Sequence, residues 1–127
     1  MRPEVRQAEV AEALCAIACG VSVAALRDLR DRSATTLLAR WLLAAVLKSL
    51  GLSWAEMGGA LSAVRGEVQS ARVLRDHRDQ WRVVAEEGEP DHRRSALARY
   101  LASLFESTFR AVRLRAFEPV ARESVPA

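Results

Sequence analysis

The chain has 127 residues, of which 50% are hydrophobic and 28% charged, a composition that fits one globular domain and excludes disorder. That length suffices to bury a core without disulfides or a structural metal. Its longest apolar stretches, Leu14–Leu26 broken by Gly20 and Leu37–Leu47 broken by Arg40, fall short of the ~20 residues that a spanning helix needs.

The first residues mix both charge signs (Arg2, Glu4, Arg6, Glu9) and lack the basic-then-apolar order of a signal peptide, so a cytoplasmic protein without membrane contact is expected. A net charge of +3 permits nucleic acid without demanding it. Lys48 is the only lysine among the 19 basic residues. Arginine forks suit phosphate and guanine edges, but a GC-rich genome produces the same bias.

In chain order, Pro3 suits a first helical turn, and Val5, Ala8, Ala11 or Glu12, Cys15 and Cys19 recur at helical spacing until Gly20, a natural stop. Cys15 and Cys19 share one face with apolar neighbours, and His77 and His92 lie at no zinc spacing from them, which predicts buried free thiols and no metal or other cofactor. Ser22 caps a short helix from Val23 to about Arg30, followed by a charged connection, Arg27 to Ser33. Ala34 to Leu50 is apolar on almost every side, the pattern of a central helix. Ser53 and Glu56 form a capping box that opens a short helix to about Leu61. After a brief break, a further helix is expected from about Val64 to beyond His77, continuing or kinking through Arg78–Glu87. Glu86 to Pro90 reads as a linker, and a last helix runs from about Asp91 to Phe117. No segment alternates as a strand does. The expected fold is therefore all-α, with residues 1–88 as the main unit and 89–127 as an added C-terminal helix.

The stretch Leu52 to Leu74 carries the functional signal. A helix-turn-helix needs two short helices locked by apolar residues so that the second presents its other side to the major groove. Met57 and Leu61 supply an inner face on the first helix, and Val68, Ala71 and Leu74 are expected to supply one on the second. Gly66, Gln69, Ser70 and Val73 then point outward, flanked by Arg65 and Arg72. In this reading Arg65, Gln69 and Ser70 contact bases, small Gly66 permits close approach, and Arg72 with the Ser53 helix start anchors phosphates. The turn shows Ser62-Ala63 where a glycine is usual. Arg72 with Asp76, and Arg75 with Asp79, stand at four-residue spacing and could pair along a solvated face instead.

The order of features from about Val10 to Arg78 resembles the C-terminal DNA-binding domain of the bacterial replication initiator DnaA. The matching pieces are Val21 to Leu26, then Arg30-Asp31-Arg32-Ser33, then the long apolar helix. Leu52-Ser53-Trp54-Ala55-Glu56-Met57-Gly58 is similar to the family's Leu-Ser-Leu-x-Glu-Ile-Gly, and Val68-Gln69-Ser70-Ala71 to its Val-x-x-Ala. The family's Gly-Arg-Asp-His-[Ser/Thr]-Thr run is replaced by Ala63 to Glu67, one residue shorter, and no glycine-rich phosphate loop accompanies it. The resemblance implies a recognition helix in the major groove and an arginine, Arg30 or Arg32, entering the minor groove. In size and layout the chain is also similar to the GafY-type activators of phage-like gene transfer agents. A nucleoid-associated transcriptional regulator, an activator, is the implied function, with double-stranded DNA as ligand.

On the last helix, Leu97, Leu101, Leu104, Phe105 and Val112 share an apolar face. Either that face closes the core against Trp81, Val84 and Ala85, or it docks a partner: a second copy, another regulatory protein or the transcription machinery. One helix-turn-helix contacts few base pairs, which favours a cooperating subunit. Catalysis has no motif to support it, so the chain is not expected to be an enzyme. A helical adaptor that binds only protein is the alternative to DNA binding.

Overall fold

The computed structural model describes residues 2–124, with side chains for residues 2–112. It is all-helical, with no strand among the described residues. The helices are α1 (Pro3–Cys19), α2 (Val23–Arg27), α3 (Ala34–Ser49), α4 (Trp54–Arg65), α5 (Ala71–Trp81) and α6 (Arg93–Ser124). None of the described helices is long and apolar enough to cross a membrane.

Helix α3 occupies the centre and touches every other helix. Leu38, Ala39, Leu42, Leu43, Ala44 and Leu47 are buried along it, as its nearly continuous apolar surface demands. Against it lie α1, which buries Val5, Ala8, Ala11, Leu14 and Cys15, and α5, which buries Leu74 and Trp81. Both thiols are free and buried. Burial pushes the Cys19 thiol up to about 11, so it stays protonated and unreactive at neutral pH.

Helix α2 ends at Arg27, earlier than its apolar pattern suggests. Arg40 of α3 is buried and donates to the carbonyls of Leu26 (2.9 Å), Ala25 (3.0 Å) and Asp28. A guanidinium thus occupies the acceptors that a further helical turn would have used. Helix α5 continues without a break into a π-helical turn, Arg82–Glu86, closed by the Glu87 amide on the Arg82 carbonyl at 2.9 Å.

The amphipathic face of α6 is turned mostly inward. Ala98 and Leu101 belong to the same core cluster as α1 and α3, and Leu97, Leu104 and Phe105 pack against that cluster. Four of the five expected partner-docking residues (Leu97, Leu101, Leu104, Phe105) therefore contribute to the core, because α1 and the π turn supply a matching apolar surface next to them. Val112 is exposed, as is Phe109, which stacks on Phe105. Arg99 donates to the Ala85 and Gly88 carbonyls at 3.0 and 2.5 Å. The helix also runs past Pro119 to Ser124 rather than stopping near Phe117.

Candidate nucleic-acid interface

Helices α4 and α5 form the expected bent pair, but with a different turn. The Ser53–Glu56 capping box is complete: the Ser53 hydroxyl accepts from the Glu56 amide at 3.1 Å, and the Glu56 carboxylate from the Ser53 amide at 2.9 Å. That amide, with the hydroxyl contact behind it, holds the Glu56 carboxyl below the usual carboxylate range. Met57, Ala60 and Leu61 are buried on the inner face.

The helix does not end after Leu61. Ser62-Ala63-Val64 contains no breaker, and the Ser62 hydroxyl satisfies itself within the helix by donating to the Gly58 carbonyl at 2.6 Å. The first residue able to reverse the chain is Gly66, whose φ of 72° lies in the left-handed region. The turn glycine is present, but later than a turn at Ser62-Ala63 implies.

The turn then folds back over α4. The Gln69 amide donates to the Ser62 hydroxyl at 2.8 Å, and the Gln69 carbonyl would lie 3.0 Å from a Cβ placed on Gly58. Gly58 is therefore the point of closest backbone approach, and Ser62 the polar clamp. Sequence reasoning gives Ser62 no such role; a small hydroxyl four residues after a glycine is the only trace it leaves there.

The second helix starts at Ala71 rather than near Val64, with Ser70 at its N-cap position. This displaces several assignments. Arg65 ends α4, is only 9% exposed, and donates to Glu12 at 2.7 Å and to the Gln69 side chain at 2.9 Å. It does not project toward solvent, and Gln69 is half-buried against it. Gly66 is a helix cap instead of a groove-facing residue. Val68 is not part of the inner face: it is 91% exposed on the turn. Leu74 does pack inward.

Glu12 is the hub of this region. It is 2% exposed and accepts from Arg27 at 2.6 Å and from Arg65 at 2.7 Å. Burial pushes its carboxyl up, but hydrogen bonds and charge from the two guanidiniums outweigh this and hold it below its ordinary value. A carboxylate on the core face of α1 requires such partners, although their identity is not readable from α1 itself.

The outward side of α5 carries Arg72, Val73, Arg75, Asp76 and Asp79, all exposed or partly so. Neither Arg72 nor Arg75 forms a salt bridge among the described residues; Asp79 faces Arg82 at 3.8 Å instead. Arg75 lies over the Trp54 ring, 5.6 Å from its centroid, with Lys48 on the same ring at 4.7 Å. Ser70 is exposed and its hydroxyl caps no amide. Arg30 and Arg32 stand exposed on the Asp28–Ser33 loop that Arg40 holds. Arg30 is braced by the Asp28 carboxylate, which also accepts the Arg30 amide at 3.0 Å. Among the described residues no cluster of three or more His, Cys, Asp or Glu could hold a metal ion.

No protein-family model, curated protein or solved structure matches the chain, so its candidate interface stands on its own geometry.

Proposed function

We propose that the chain is a sequence-specific, double-stranded-DNA-binding regulator of transcription, an activator, that reads the major groove with the turn and first half of α5. One observation carries the reading: a clamped helix pair presents Ser70, Arg72, Val73 and Arg75 outward, with both arginines free of salt bridges among the described residues. Arginines of this kind supply phosphate neutralisation and guanine contacts. Ser53, exposed at the start of α4, contributes a further phosphate contact, and Arg30 and Arg32 extend the cationic surface toward a minor groove. Compared with the sequence expectation, base reading stays with Ser70 and passes from Arg65 and Gln69 to Arg72 and Val73.

A single reader of this size contacts few base pairs, and a second copy of the chain is the neighbour we propose, meeting it along the exposed Phe109 and Val112 of α6. The competing reading, an adaptor for protein alone, draws on the apolar groove between α1, the end of α3 and α6, lined by Val10, Leu14, Leu50, Phe105 and Phe109.

The test is selection of duplexes from a random 40-base-pair pool on the full chain, followed by titration at rising KCl. Log affinity should fall linearly with log salt, by roughly 0.9 per phosphate neutralised, and the Arg72→Glu, Arg75→Glu double variant should lose binding. A pool that yields no salt-sensitive binder would reject the reading in favour of the adaptor.

A further inference from the structure

Val68 is the most exposed large hydrophobic side chain among the described residues, at 91%, and it does not stand alone. Leu29, 68% exposed on the loop before α3, and Val73, 42% exposed on α5, border the same cleft of about 290 Å³ as Val68. Exposed apolar residues scattered singly need no explanation, whereas several around one cleft mark a contact surface.

Of the charged groups lining that cleft, the arginines are committed within the fold, and Glu67 is exposed without an ion pair among the described residues. Arg27 and Arg65 are held by Glu12, and Arg40 by the carbonyls at the end of α2. The exposed cations flank the apolar residues in sequence: Arg30, braced by Asp28, and Arg32 follow Leu29, and Arg72 and Arg75, the latter over the Trp54 ring, bracket Val73. An apolar centre between arginines matches a ligand that carries an apolar group between phosphates. On the major-groove edges of DNA one substituent meets that description, the 5-methyl group of thymine. Valine has neither donor nor acceptor and so cannot read the other base edges.

We infer that Val68 and Val73 are specificity-determining contacts to thymine methyl groups, so that the sites this chain reads carry thymine where these two side chains meet the base edges. The inference rests on the DNA-reading role proposed above and adds the base it selects.

The experiment uses the full chain and the duplex most enriched from the random 40-base-pair pool. The duplex is remade with deoxyuridine in place of thymidine, first throughout and then one position at a time, which removes only the methyl group. Affinity should fall by roughly 3–5-fold for each contacted methyl, the scale of one buried methyl group, at one or two positions. Val68→Ala and Val73→Ala, both at exposed positions with little folding role, should lose the same factor on the thymidine duplex and nothing on the deoxyuridine duplex. Unchanged affinity on full deoxyuridine substitution overturns the inference while leaving DNA binding intact, as does a methyl dependence that survives in the double valine variant. Failure to enrich any salt-sensitive duplex removes the DNA-reading role itself, and this inference with it.

Discussion

The Arg65 guanidinium lies 2.7 Å from the Glu12 carboxylate across 53 positions of sequence, joining the last turn of α4 to the middle of α1. A charge this deep is stabilising only while its partners remain. Glu12→Ala strands Arg65 and Arg27 together and should cost about 3–5 kcal/mol of unfolding free energy. Arg65→Ala leaves Glu12 with Arg27 and should cost about 1–3 kcal/mol, mostly as a lost charge-assisted hydrogen bond. Urea denaturation reads both. Because Glu12 has a depressed folded pKa, its contribution is complete above its unfolded value near 4.5 and disappears as pH falls through the folded one. The stability gap between the wild type and Glu12→Gln should accordingly narrow on acidification below 4.5; a gap independent of pH there would refute the pairing.

Adjacent glycines on α4 should respond in opposite ways to alanine. A Cβ added at Gly59 would have nothing within 4 Å of it, so Gly59→Ala should gain the helix-propensity difference of about 1 kcal/mol, or about 3–5 °C in melting temperature for a domain of this length. At Gly58 the same Cβ would meet the Gln69 carbonyl at 3.0 Å. That atom is backbone, held by the Ser62 clamp, so Gly58→Ala should forgo the gain and loosen the turn. Thermal melts of the two variants side by side distinguish a tightly docked turn from a loosely packed one. Equal stabilisation of both would show that the turn does not press on α4.

How much of this is legible in the sequence follows from where each signal sits. The helix starts at Pro3, Ser22 and Ser53, the stop at Gly20 and the central place of α3 are local patterns and are found where the sequence puts them. The start of α5 is not local: Val64 and Arg65 are equally good helix formers for either helix, and only the docking of the turn on Gly58 and Ser62 decides. Arg65 resembles a reader of bases because an arginine beside a turn carries no mark of the acid that holds it. The paired acid, Glu12, does carry a mark, since it interrupts the apolar face of α1. Periodicity also reveals the apolar face of α6 without saying whether α1 or another molecule covers it, because a face is a local property and its neighbour is not.

His77 lies on the inner side of α5, and burial, followed by the charges of Arg40 and Arg65, holds its imidazole below the usual value of 6.5, with Asp76 opposing them. The folded state therefore favours neutral imidazole. Its contribution to stability is complete above pH 6.5 and is lost as pH falls through the depressed folded value. Unfolding free energy should decline below pH 6.5 by no more than about 1.4 kcal/mol per pH unit from this one group. His77→Gln should flatten that decline below pH 6.5, as followed by urea midpoints. A variant with the wild-type slope would place the titrating group elsewhere.

Arg40 tests whether the loop carrying Arg30 and Arg32 must be held to act. Its guanidinium satisfies carbonyls of Ala25, Leu26 and Asp28 at once, so Arg40→Met keeps an unbranched apolar stem in the core and strips the far end of its donors. Orphaned carbonyls and a freed α2 terminus should cost about 2–4 kcal/mol. The local signature should be faster amide exchange over residues 28–33 than over α3, where the ladder is untouched. If that loop enters a minor groove, the fold-normalised affinity of Arg40→Met for a selected duplex should drop by about as much as that of the Arg30→Ala, Arg32→Ala double variant, while combining all three changes adds little, because a cation on an unheld loop must be ordered before it can bind. Additive losses would instead assign Arg40 to stability alone and separate the loop's anchoring from its contact with DNA.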